Sequence, residues 1–124
     1  YNGAGSFGWH TAVKGYFDEE FNAIEATDDG YVAVGSSCSS NRDLKAVGNR
    51  GGSDALVVTF SNGGSLKSIQ SYGGSRDDSF GGVCVLSDGQ IIACGSTYSD
   101  NGDLIGSKYL SSGSASMGMI ARFK

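Results

Sequence analysis

Asp29-Gly30-Tyr31-Val32-Ala33-Val34-Gly35-Ser36 is the stretch that decides the fold. An Asp-Gly turn leads into a strand-length run of aromatic, β-branched and small residues, which reads as one arm of a hairpin. The same pattern returns as Asp88-Gly89 and, six residues on, Gly95-Ser96. An offset of 59 also aligns Gly5-Ser6 with Gly64-Ser65, Asp18 with Asp77 and Phe21 with Phe80. After one inserted residue the offset is 60, matching Ser39 to Ser99 and Asp43-Leu44 to Asp103-Leu104. A longer loop then moves it to 63, which lays residues 53–60 over residues 116–123. Every change of offset falls in a turn or loop, where insertions are tolerated. The chain is an internal repeat.

Composition agrees with a turn-dense, folded chain. Of 124 residues, 21 are Gly and 20 are Ser, and there is no Pro. A flexible linker is excluded by the 39% hydrophobic and 10% aromatic content, spread along the chain. Collagen is excluded because the glycines keep no three-residue period. The formal net charge of −4, with basic residues scattered singly, disfavours a nucleic acid or an anionic membrane as partner. No apolar run approaches the ~20 residues of a membrane-spanning helix. Cys38, Cys84 and Cys94 are odd in number and without CxxC spacing, so neither zinc nor a disulfide framework is indicated. Cys84 and Cys94 read as small buried thiols in strands.

Each repeat reads as four short strands, with little or no helix anywhere. In the first they are a (21–27), b (31–37), c (55–60) and d (65–72), with turns at Asp28-Asp29-Gly30 and Ser61-Asn62-Gly63-Gly64 expected to exploit positive φ. In the second, a (82–86) and b (90–95) are near-continuously apolar, as in strands covered on both faces, and c spans 115–123. A lone d strand over 6–16 precedes them. The expected fold is therefore all-β and of β-propeller type, with two four-stranded blade equivalents in d-abc-d-abc order. Residues 5–17 form the closing d strand, 18–75 the first blade and 76–124 the second. Two blades do not close a ring, since propellers have about 4–8. Either a longer parent chain or copies of this one complete it, and three copies giving six blades is the favoured assembly. A strand c left unpaired would be an aggregation template.

The chain resembles the repeats of roughly 60 residues found in tandem in bacterial secreted and surface β-propellers. The resemblance rests on residues 29–36, on Gly51-Gly52-Ser53-Asp54-Ala55-Leu56-Val57-Val58, on Tyr72-Gly73-Gly74-Ser75-Arg76-Asp77-Asp78-Ser79-Phe80 and on Asp100-Asn101-Gly102-Asp103-Leu104. It covers essentially the whole chain and implies an extracellular or cell-surface scaffold, without implying an activity. Two departures stand out. Ser111–Ser116 replaces the Gly-Gly-Ser-Asp corner, and Lys14-Gly15-Tyr16-Phe17 stands where the pattern has Gly-Gly.

Candidate chemistry is sparse, and no enzyme is expected. The single histidine, His10, has Ile69 as its counterpart, an ordinary strand position. Asp18, Glu19, Glu20, Asp77 and Asp78 recur in both repeats, which suits residues that fix turns or cap backbone N–H groups. Asp100, Asn101 and Asp103 offer three side-chain oxygens in four residues, the one place where calcium fits as a cofactor, against an ordinary Asx-rich turn. Residues that differ between repeats are the candidates for recognition: Trp9, Arg42, Asn49, Arg50, Tyr98 and Tyr109. Aromatic faces beside Asn and Arg suit a glycan, whereas Trp9 and Tyr109 could equally fill gaps between blades. The expected function is a non-catalytic extracellular binding or adhesion module, multivalent through assembly. The alternative is a purely structural self-assembling unit.

Overall fold

Turn chemistry and strand-length apolar runs place the hairpins. The computed structural model describes Gly5, residues 8–104 and residues 115–124. It has two antiparallel sheets. The first runs β1 (Glu19–Thr27), β2 (Gly30–Ser37), β3 (Asp54–Ser61) and β4 (Leu66–Tyr72), each paired with the next. The second has β5 (Asp78–Val85), β6 (Ile91–Thr97) and β7 (Met117–Phe123) in that order, so that β7 is at the edge among the described residues. Among the described residues helix is confined to single 3-10 turns at Arg42–Leu44 and Gly102–Leu104, equivalent positions of the two repeats.

The repeat extends to backbone irregularities. The ladder is interrupted between Phe21 and Ala23 in β1 and between Phe80 and Gly82 in β5. Opposite each irregularity lies a glycine, Gly35 or Gly95, whose missing Cβ would overlap the carbonyl of Glu20 or Ser79. Both glycines are needed so that one strand can approach a bulged neighbour closely. The turns differ from expectation in one respect. Gly89 (φ 84°) and Gly64 (φ 83°) are left-handed, but Asp28, Asp29 and Gly30 are not. Gly30 is required for space instead, because a Cβ there would overlap the Phe60 carbonyl across the ladder.

Two apolar layers hold the molecule together. Val32, Val34, Ala55 and Val57 of the first sheet pack on Phe80 and Ala93 of the second, flanked by Tyr72, Val83, Met119 and Phe123. On the opposite face of the first sheet, Ala33, Leu56, Val58 and Phe60 pack with Leu44 and Val13. β2 and β3 are therefore covered on both sides.

Two expectations need correction. The second sheet is covered on one face only among the described residues, so Cys84 and Cys94 are exposed rather than buried. β5 begins at Asp78 rather than at 82, because the Asp78 carboxylate is held in place by Gly74 N–H and the hydroxyls of Ser99 and Thr97. Residues 8–15, the described core of the lone d strand, lie in no ladder with the described strands. They lie against the first sheet, where Val13 packs in the apolar layer, Thr11 Oγ1 donates to the Gly64 carbonyl and Trp9 meets Tyr31.

Candidate functional site

The most organised polar feature is the junction where one repeat hands over to the next. Beyond β4, the Gly73 N–H donates to Asp103 Oδ2 (3.0 Å), the Asp103 N–H donates to the Gly73 carbonyl (3.0 Å), and Ser75 and Arg76 N–H donate to Asn101 Oδ1 and Ser99 Oγ. The N-terminal segment makes the same set with the first sheet. The Lys14 N–H donates to Asp43 Oδ2 (2.9 Å), the Asp43 N–H to the Lys14 carbonyl, and Tyr16 and Phe17 N–H to Asn41 Oδ1 and Ser39 Oγ. Cys38 and Tyr98 N–H then donate to the carbonyls of Asp18 and Asp77. Residues 8–17 thus stand to the first sheet as residues 67–76 stand to the second. Lys14 occupies the place of Gly73 without altering the bonds, because only its backbone takes part.

These contacts account for most of the polar candidates. Asn101 and Asp103, two of the three residues proposed for calcium, use the oxygens described above to hold the junction; Asp100 is exposed. Among the described residues no group of three His, Cys, Asp or Glu is arranged to hold a metal ion. Arg50 reaches from its own loop to Asp54 (2.8 Å) and to Asp103 of the next repeat (3.1 Å), and its guanidinium also donates to Ser71 Oγ. Asn49 spans its loop, donating to the carbonyls of Ser37 and Gly52 while its Oδ1 accepts from Gly51 N–H. Asp77 Oδ1 accepts from Ser53 N–H, and Glu19 Oε1 from Ser37 Oγ, so the acidic residues ahead of each sheet act on backbone and hydroxyl groups.

The remaining recognition candidates do not converge. Arg42 lies 4.6 Å from the Tyr16 ring centroid, a cation–π contact. Its φ of 52° matches the 64° of Gly102 at the equivalent position, so a non-glycine residue adopts a glycine-like conformation there. Tyr98 is exposed at the same end of the sheets as Arg50. Trp9 is at the other end of β3, over Gly64 and tilted against Tyr31 at 5.8 Å. His10 is exposed, and Tyr109 lies outside the described residues.

Two titratable groups near the junction are perturbed. Asp54 is buried, and its carboxyl is pushed above the usual carboxylate range by that burial; hydrogen bonds from Arg50 work against the shift, and the nearby Asp78 adds to it. Its Oδ1 has no hydrogen-bond partner among the described residues. The Cys38 thiol is pushed up by burial first and then by Asp18, Asp77, Glu19 and Asp54, which disfavours a reactive thiolate.

The other notable surface is apolar. An open hollow of about 320 Å³ on the first sheet is lined by Trp9, Thr11, Phe21, Ile24, Ala33 and Phe60. Sequence reading missed it as a site, although the signal was present: Phe21 is the repeat counterpart of Phe80. Phe80 is fully buried between the sheets, whereas Phe21 is 42% exposed. No family model matches the chain, and no curated protein or solved structure matches it either.

Proposed function

We propose that the chain is a non-catalytic, self-assembling repeat module of β-propeller type, three copies of which close a ring of six blades at the bacterial cell surface or outside the cell. The observation that carries this reading is the junction. The N-terminal segment docks on the first sheet with the same backbone and side-chain bonds by which the end of β4 docks on the second. A segment that behaves as the end of a preceding blade, together with an edge strand c, supports head-to-tail repetition.

The same geometry favours assembly over catalysis as the use of the polar residues. Asp43, Asp77, Asp78 and Asp103 hold backbone N–H groups, and Arg50 ties two loops. A binding and adhesion role, with glycans as ligands, is the second reading. It is favoured by exposed Tyr98 and by Arg42 over Tyr16 at the loop end of the sheets, displayed several times by a ring. A glycan array probed with the labelled protein separates the two. Binding that is lost in a Tyr98→Ala variant establishes the adhesive role, and silence across diverse glycans leaves assembly alone.

A further inference from the structure

Resting on the head-to-tail reading, we infer that the hollow on the first sheet receives Ile92, Cys94 and Ile120 of a second copy, while residues 9–13 pair with that copy's β7 as its fourth strand. The interface between the two sheets is the template. Its first-sheet side presents Val32, Val34 and Val57, whose repeat counterparts are Ile92, Cys94 and Ile120. Its second-sheet side presents Phe80, Val83, Ala93 and Phe123, whose counterparts are Phe21, Ile24, Ala33 and Phe60. The counterparts on the first sheet line the hollow, and those on the second lie together on its outer face, since Cys94 is opposite Ile120 in the ladder. Exposure shows what each half lacks. Val57 is 3% exposed and Ile120 75%; Ile24 in the hollow is 62% exposed. One molecule carries both halves of one apolar interface, on opposite ends. Such a heterologous contact generates rings when the rotation closes.

The strand register follows from the same equivalence. In the first sheet Val57 pairs with Gln70, Thr59 with Ser68 and Ala55 with Tyr72. Transferred through the repeat, Ile120 of one copy pairs with Thr11 of the next, Arg122 with Trp9, and Gly118 with Val13. Thr59 and Ser68 share a hydrogen bond between their hydroxyls, so side chains at this pair touch. Arg122 would therefore lie against the Trp9 indole, a cation–π pair across the ladder. Val13 already sits where Tyr72 sits in the other repeat, packed on the sheet that follows.

Cysteine pairing between copies tests this register. With Cys38, Cys84 and Cys94 changed to Ala, the full chain carrying Thr11→Cys and Ile120→Cys should oxidise to covalent multimers. The Thr11→Cys and Ala121→Cys chain should not, because a slip of one residue turns the side chains to opposite faces. Multimers from the slipped pair alone, in an assembled protein, would overturn the register while leaving the assembly reading intact. A protein of single-chain mass before oxidation would overturn both. A second measurement does not depend on the cysteines. Ile120→Glu and Ile24→Glu, both at exposed sites, should each weaken self-association at least 100-fold. Mixed together they should form a dimer through the one remaining good interface. Failure of the mixture to dimerise, with each variant folded by circular dichroism, contradicts the head-to-tail docking.

Discussion

Asp103 is the residue at which the junction between repeats can be tested most sharply. Truncating Asp103→Ala removes the acceptor for the Gly73 N–H at 3.0 Å and the partner of Arg50 at 3.1 Å. A hydrogen bond to a charged acceptor contributes about 1.5–3 kcal/mol. An ion pair this open to solvent contributes about 0.2–1 kcal/mol. Because the Asp103 side chain is 34% exposed, the lower part of each range applies, giving a loss of about 2 kcal/mol. At roughly 4 °C per kcal/mol for a chain of this length, the melting temperature should fall by about 8 °C. Asp43 is the internal control. It holds the Lys14 N–H in the same way, and the segment it ties brings only Val13 into the apolar layer. Asp43→Ala should therefore cost about 1.5 kcal/mol, the low end of the same range, without the added ion pair to Arg50. Both variants belong in the Ile120→Glu background, so that mass action from self-association does not enter the comparison. Thermal melts followed by circular dichroism give the two values. A change within about 0.5 kcal/mol of zero at Asp103, the range of an ordinary surface substitution, refutes the junction as a holding element.

Further outcomes follow from the same structure. Gly95→Ala, whose Cβ would overlap the Ser79 carbonyl, should destabilise the chain by about 3 kcal/mol or more, whereas Gly118→Ala, facing open space in β7, should be neutral or stabilising by about 0.5–1 kcal/mol; chemical denaturation of both variants checks the pair. Asp54 makes stability depend on pH with a definite sign. Its folded-state pKa is raised, so the folded chain holds the proton more tightly than the unfolded one. The associated stabilisation is complete near and below pH 4 and is lost as pH rises through the raised value. Asp54→Asn should flatten that part of the stability–pH curve, and an unchanged slope contradicts the assignment. In the assembled wild-type protein, β7 amide protons should exchange slowly at high protein concentration and faster on dilution; concentration-independent exchange contradicts strand pairing at that edge.

How much of this was legible in the sequence varies with the range of the contacts. The hairpins were legible because Asp-Gly and Asn-Gly-Gly are local signals bounding apolar runs, and all seven observed strands overlap expected ones. The start of β5 was not. Asp78-Ser79 has the composition of a turn, and tertiary bonds to Gly74, Thr97, Ser99 and the Ser53 carbonyl hold Asp78 in the sheet. Asn49 and Arg50 looked like recognition residues because they differ between repeats, yet Arg50 serves a contact specific to this pair of loops. The Arg50–Asp103 contact joins loops of different repeats and leaves no local periodicity. Residues 6–16 read as a strand because they have strand composition, but a ladder needs a neighbouring strand, and residues 8–15 lie in no ladder with the described strands. The hollow at Phe21 was encoded by the alignment with Phe80. Seeing it required knowing that Phe80 is covered.

The most direct test is the mass of the unmodified chain in solution, by light scattering at micromolar concentration. The account predicts a single species of three times the 12.7 kDa of one chain. A folded species at 12.7 kDa that persists across a hundredfold range of concentration would contradict it.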